Sequence, residues 1–202
     1  MNVLLLARHA HASSNEGSVV NGVPPGEGLS PQGVVEAKAL GERLASTQID
    51  LGVSSRLLRA RETLEAALAG RDVRLVVEPL LDEIGFGTFE GGALEAYRAW
   101  AWTNDPTASP GGGESRVAAA SRIASGLEAL LRRPEETILA VSHSLPIRYV
   151  IDASDGMFPS QRVVPVPHAA PFQLDRTAVE RAAETLRAWA DAPMFTDAPF
   201  GG

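Results

Sequence analysis

The stretch VLLLARH, Val3 to His9, decides how this chain is read. Val3 to Ala7 is a short continuous apolar run, the pattern of a strand buried on both faces within a parallel sheet covered by helices. Arg8 and His9 end that run. Both side chains therefore leave the sheet at its carboxyl edge, where ligands bind in open α/β folds. An Arg-His pair taken alone is more often part of a surface loop, so its meaning depends on what the rest of the chain supplies.

Working outward, Leu29-Ser30-Pro31-Gln32-Gly33-Val34 predicts a helix start, with Ser30 as N-cap, Pro31 at the first helical position, and Leu29 and Val34 as a hydrophobic staple. Ala37, Leu40, Gly41 and Leu44 supply its buried face. Ile49 to Val53 predicts a second strand, followed by Ser54-Ser55 as the cap of a helix from about Arg56 to Ala69. Val73 to Val77 and Thr137 to Val141 predict two more strands. Helices are expected over Tyr97–Thr103 and Val117–Arg132, the second with Ile123, Leu127, Leu130 and Leu131 at core-facing spacing. This alternation predicts an α/β fold, a three-layer αβα sandwich around a mainly parallel central sheet. One domain over residues 1–192 is expected, and the Pro/Gly-rich residues 193–202 read as a flexible tail.

Composition narrows the function. With 45% hydrophobic residues in a chain of 202, one sizeable core can form. The net charge of −7 offers no footprint for nucleic acid or an anionic membrane, so a small substrate is expected. An anionic substrate must then be captured by a local basic pocket, which makes each arginine near a candidate site informative. The chain contains no cysteine, which excludes disulfides, thiolate chemistry and Cys-based zinc sites. Val3 to Ala7 lacks a preceding basic region and is too short for a signal segment or a membrane span, so a cytoplasmic location is expected. Oligomeric state is not legible, and a homodimer stays open.

His143 occupies the same topological position as His9: it follows the strand Thr137–Val141 after one serine and precedes a helix beginning near Ser144. A buried core histidine is the plainer alternative, but two of only four histidines at strand-to-helix junctions favours function for both. Arg59 falls in the first turn of the helix after Ser55. Helical side chains lean toward the N-terminus, so its guanidinium is aimed back at the strand edges, where the helix dipole adds positive potential. A solvated helix face suits Arg56 and Arg61 better.

Five ordered blocks then carry a resemblance. They are Leu5 to Ala10 with Asn15 shortly after, the Ser54-Ser55-x-Leu-x-Arg59-Ala60 block, Glu83-Ile84-x-Phe86-Gly87-x-Phe89-Glu90-Gly91, Gly112 to Ser115, and Val141-Ser142-His143. Together they resemble the histidine phosphatase (phosphoglycerate mutase-like) superfamily over roughly residues 3 to 150. The resemblance implies His9 as nucleophile, Arg8 and Arg59 as phosphate clamps, His143 as the second pocket histidine and Glu83 as general acid. It further implies Asn15 as a donor to a phosphoryl oxygen, with Glu114 and Ser115 lining the pocket more peripherally. No metal or other cofactor is implied.

These residue types suit phosphoryl transfer. Neutral imidazole is nucleophilic near pH 7, and guanidiniums with a protonated imidazole can hold the charge on the equatorial oxygens. Ile84, Phe86 and Phe89 give Glu83 a partly apolar setting that raises a carboxyl pKa. Ala10 and Ser144 stand where most relatives carry glycine, adding atoms near the pocket, with Ser144 and His168 as further candidates to line it. His168 is equally suited to capping a strand. Arg56, Arg98, Trp100 and Trp102 are placed to approach the pocket mouth. The compact length favours a phosphatase acting on a small phosphorylated metabolite; a phosphomutase, a phospho-ligand-binding protein without turnover and a protein phosphohistidine phosphatase are the alternatives.

Overall fold

A computed structural model describes residues 1–195. Its strands are β1 (Val3–Arg8), β2 (Leu51–Ser54), β3 (Arg74–Val77), β4 (Thr137–Ser142) and β5 (Pro171–Asp175). The helices are α1 (Ser13–Glu16), α2 (Pro31–Arg43), α3 (Leu58–Ala67), α4 (Leu94–Ala101), α5 (Arg116–Leu131), α6 (Ser144–Ser154) and α7 (Arg176–Asp191). The sheet order is β3-β2-β4-β1-β5, parallel throughout except for β5, which pairs antiparallel with β1.

Alternation along the central strands builds the layers. Leu4 and Leu6 of β1, with Ile138 and Ala140 of β4, face one way into a core completed by Ile123 and Leu127 of α5, Tyr149 of α6 and Leu186 and Trp189 of α7. Leu5, Ala7, Leu139 and Val141 face the other way, against Ala37 and Leu40 of α2 and Ala60 and Leu64 of α3. Strands covered on both faces must be apolar at every position, which is why β1 reads as an unbroken run. Truncating one such leucine to alanine removes contacts on a fully enclosed site and costs ~2–5 kcal/mol.

Helix α2 begins as its sequence dictates: Ser30 Oγ accepts from Gly33 N–H (3.1 Å), and Pro31 supplies a fixed φ at the first position. The staple does not form, since Val34 is 40% exposed and packs in neither core. Gly41 lets α2 approach α3, because a Cβ there would lie 2.5 Å from the Ala67 carbonyl oxygen. Helix α3 starts two residues later than expected, and Ser54 and Ser55 do not cap it. Ser54 closes β2, Leu57 is the N-cap without a side-chain bond, and Ser55 is used elsewhere.

The sequence reading assigned no element after α6. There the structure has β5 and α7, the latter capped by Asp175 Oδ1 accepting from Ala178 N–H (2.8 Å). Of the expected tail, Met194 is tied back by Trp189 Nε1, which donates to its carbonyl (2.8 Å), and Phe195 stacks 5.8 Å from the Trp189 ring. The remainder, 196–202, lies outside the described residues. No helix among the described residues is long and apolar enough to cross a membrane.

Candidate active site

Strand register brings the candidate residues together. β1 and β4 are adjacent and parallel, with Arg8 opposite Ser142, so the residues that follow them emerge side by side. His9 N–H donates to the Ser142 carbonyl (2.9 Å), and the His9 and His143 rings lie 5.1 Å apart. β2 flanks β4 on its other side, and Ser55 N–H donates to the Val141 carbonyl (3.2 Å). Three strand ends thus deliver His9, His143 and Ser55 to one edge.

Hydrogen bonds set the tautomers. His9 Nδ1 lies 2.7 Å from the Ala10 carbonyl, which can only accept, so Nδ1 carries the proton and Nε2 keeps its lone pair. Arg59, in the first turn of α3, donates from Nε to His9 Nε2 (3.1 Å), from Nη1 to Asn21 Oδ1 (3.0 Å) and from Nη2 to His143 Nδ1 (3.3 Å). His143 therefore donates from Nε2 to Ser55 Oγ (2.7 Å). Thr63 ties the loop after β1 to α3, accepting from Ala10 N–H (2.9 Å) and donating to the Arg59 carbonyl (2.6 Å).

Burial, and then the charge of Arg59, hold the pKa of both His9 and His143 well below the usual histidine value. Both rings are neutral at pH 7, so His143 does not supply the protonated imidazole that the sequence suggested. Burial also depresses Arg8 and pushes Arg59 down to about 10, leaving both charged at neutral pH. Arg8 Nη1 donates to the Val166 carbonyl (2.7 Å), while its Nε is buried without a partner among the described residues. Neither Arg8 nor Arg59 has a carboxylate within ion-pairing distance among those residues.

Glu83 approaches from the loop after β3. Ser142 Oγ donates to the Leu81 carbonyl (2.7 Å), and Arg122 of α5 donates to the carbonyls of Leu80 (3.0 Å), Asp82 (2.9 Å) and Glu83 (3.3 Å). Arg56 closes the outer side through Asp82 (2.6 Å). Burial raises the Glu83 pKa, opposed by the Ile84 N–H and by Arg59, Arg8 and Arg122.

One cavity of about 190 Å³ is lined by Arg8, His9, Arg59 and Glu83, together with Asn15 and Ser144. Asn15 Oδ1 is taken by the Ala12 N–H (2.8 Å), leaving its amide nitrogen as the group able to donate to an anion. Ser144 Oγ accepts from Val166 N–H (3.1 Å). His143 lies directly behind the cavity wall, in contact with Arg59. Arg98 and Trp102 line the cavity as expected at its mouth, whereas Arg56 and Trp100 do not.

Four expectations need correction. Glu114 lines a neighbouring cleft and pairs with Arg122 (2.7 Å), bracing the Glu83 loop from behind. Ser115 is the N-cap of α5, accepting from Ala118 N–H (3.1 Å). His168 does not line the cavity either: its Nδ1 donates to the His9 carbonyl (2.9 Å), and its ring packs 5.4 Å from that of His9, so it props the main chain. Ala10, too, adds nothing to the pocket, since its methyl is fully buried in the core between the sheet, α2 and α3. Sequence reasoning missed Asn21 and Arg116, which line the cavity, and the roles of Ser55, Thr63 and Arg122. An Asn in a Gly/Pro-rich loop carries no signal beyond a turn, while a Ser just before a helix, as Ser55 is, signals a cap by local pattern alone.

A histidine with an unprotonated ring nitrogen, a buried and a half-buried guanidinium and a carboxyl of raised pKa around one cavity define a phosphoryl-transfer site on an αβα sandwich. The chain belongs to the histidine phosphatase superfamily (branch 1), whose family model matches residues 4–192. In sequence it is similar to the 2,3-bisphosphoglycerate-dependent phosphoglycerate mutase of Brucella anthropi, 30% identical over 174 residues that cover 78% of this chain and 84% of the mutase. In structure it is similar to the alpha-ribazole phosphatase from Shigella flexneri, with a TM-score of 0.74, 26% identity and coverage of 86% and 90% of the two chains. A mycobacterial glucosyl-3-phosphoglycerate phosphatase in complex with VO3 gives a TM-score of 0.72 at 27% identity, over 87% and 91%.

Proposed function

We propose that this protein is a metal-independent phosphatase that hydrolyses the phosphate monoester of a small metabolite through a phosphohistidine on His9. The observation that carries the reading is the pair Arg8 and Arg59, cations without carboxylate partners among the described residues, set beside a His9 Nε2 that bears a lone pair. Buried charge is stable only when paired, and a phosphoryl dianion at His9 supplies that pairing.

In the first transfer His9 Nε2 attacks phosphorus, the N–P bond forms, and the P–O bond to the alcohol breaks. Glu83 in its acid form, which burial favours, gives its proton to the departing oxygen. In the second, water attacks phosphorus, the ionised Glu83 takes the water proton, and phosphate leaves with His9 restored. Arg8 and Arg59 hold the equatorial oxygens by charge-assisted bonds, with Asn15 Nδ2 as a further donor. His143 is neutral in the protein alone and holds the Arg59 guanidinium in place through Nδ1.

The relative from Brucella, a mutase, supports a second reading in which the phosphoryl group returns to the product. The two readings differ in whether the product is retained and water excluded after the first transfer. The test follows phosphate release and product identity with alkyl phosphates, together with alkaline-quenched labelling. Free phosphate with an acid-labile label on His9, both lost in folded His9→Ala, is expected. Accumulation of an isomerised ester selects the mutase, and label on another residue overturns the mechanism.

A further inference from the structure

Arg116, the first residue of α5, is 6% exposed and lines the same cavity as His9. Its partners are all neutral. Nη1 donates to the Tyr149 hydroxyl (2.9 Å), Nη2 to the Gln161 carbonyl (3.4 Å), and the guanidinium lies 6.0 Å from the centre of the Tyr149 ring. Its buried Nε has no partner, and no carboxylate reaches ion-pairing distance, among the described residues. Arg98 of α4 lines the cavity as well, paired with Glu95 at 3.6 Å on its exposed side.

The charge count exceeds what a phosphate monoester needs. Four arginines line the cavity, against a single carboxylic acid, Glu83. Arg8 and Arg59 suffice for a phosphoryl dianion at His9, and Glu83 must be protonated to do its work. Of the other two, Arg98 is paired with Glu95, so Arg116 remains as a buried cation without a carboxylate partner among the described residues, in a protein whose net charge is −7. Tyrosine hydroxyls and a π face soften the burial of a guanidinium but do not neutralise it. Val20, Phe86, Leu94 and Leu145 contribute apolar surface to the cavity lining.

We propose that Arg116, assisted by Arg98 at the mouth, determines specificity by binding a second anionic group, a carboxylate or phosphoryl, carried on the leaving-alcohol side of the substrate. This rests on the reading that His9 takes the phosphoryl end. The substrate class is then a phosphate ester with a short apolar linker and an anionic terminus, bound at both ends with the ester bond beside Glu83.

The test compares kcat/KM for carboxymethyl, carboxyethyl and carboxypropyl phosphate with ethyl, propyl and butyl phosphate, and with the matching diol bisphosphates. At one chain length the parent is expected to favour an anion-tipped substrate over its alkyl match by at least about tenfold, the ~1.4 kcal/mol of one charged contact. The carboxylate and bisphosphate arms distinguish which terminus is read. In folded Arg116→Gln that ratio should fall to near one, mainly through KM, and Arg116→Lys should retain part of it. A parent ratio near one at every length, or a ratio unchanged in Arg116→Gln, overturns the proposal. If neither variant folds, the parent ratio decides, and Tyr149→Phe, which frees the guanidinium from its orienting hydroxyl, must lower it severalfold or the assignment fails. Hydrolysis of p-nitrophenyl phosphate by the parent keeps the two readings apart: without it the phosphatase reading falls, and with it an absent preference sinks only the role of Arg116.

Discussion

His9 can attack phosphorus only through a nitrogen that carries no proton, and the bond from Nδ1 to the Ala10 carbonyl leaves Nε2 in that state. Burial keeps His9 and His143 neutral, which has a cost on acidification. An unfolded chain protonates these rings near pH 6.5 while the folded one resists, so stability should fall as pH drops below about 6.5. Thermal unfolding at stepped pH should show this loss, and His143→Gln should flatten it; an equal slope in both proteins would assign the acid sensitivity elsewhere. Glu83 has the opposite sense. Its raised pKa means the acid form persists above the usual carboxyl range, and kcat/KM for an alkyl phosphate should decline as pH rises through that value. Glu83→Gln should remove that limb and cost ~100- to 10,000-fold on alkyl phosphates, but far less on p-nitrophenyl phosphate, whose leaving group departs unaided. Equal losses on both substrates would make Glu83 a positioning group. His9, Arg59 and Glu83 were legible because each sits at a recognisable junction or block, whereas Ser55 and Thr63 act through bonds to residues far away in sequence, where local pattern is silent.

Gly33 shows how an element is seated on the site. It lies in the first turn of α2, where an added Cβ would fall 1.9 Å from the His11 carbonyl oxygen, a main-chain atom that also accepts from Ser30 N–H (3.0 Å). Gly33→Ala must therefore push α2 off the loop that follows β1. Urea unfolding should show a loss of ~1–3 kcal/mol, and turnover should drop further because that loop carries His9. Stability within a few tenths of a kcal/mol of the parent would mean that the loop yields freely. The capping of α2 was legible from Ser30 and Pro31, since capping is decided within four residues. The period of α7 is written in the sequence as Val179, Ala182, Ala183, Leu186 and Trp189, its buried face. β5 had no such signal: its exposure pattern is mixed, and its antiparallel place beside β1 follows from the return of the chain.

At the scale of the molecule, the protein concentrates cations in one cavity while its net charge is −7. Anions that fill the cavity should bind the folded state alone. Inorganic phosphate or vanadate at a hundred times its dissociation constant should then raise stability by ~2.7 kcal/mol. A folded Arg59→Leu variant should lose that increment in thermal unfolding; the same increment in both proteins would place the anion elsewhere. Turnover should also survive exhaustive chelation, because arginines carry the charge stabilisation proposed here, and among the described residues no group of three or more histidines and carboxylates is arranged to hold a metal. Loss on chelation with recovery on adding a divalent cation would overturn the mechanism.

The sequence by itself determined the αβα class, the two histidines at strand ends, Arg59 in a first helical turn and the acid block at Glu83. The strand ends and the helical turn are written in short windows, where apolar runs, caps and junctions report local conformation directly, while the acid block is implied by the family resemblance. Only the tertiary structure decided which strands lie side by side, and with that the 5.1 Å approach of the His9 and His143 rings and the use of Ser55 as a partner rather than a cap. It also set Glu114, Ser115 and His168 behind the site instead of in it, and brought Arg116 into the cavity. Those outcomes depend on register and on the packing of α5 and α6 against the sheet, contacts between residues tens of positions apart that no local window records.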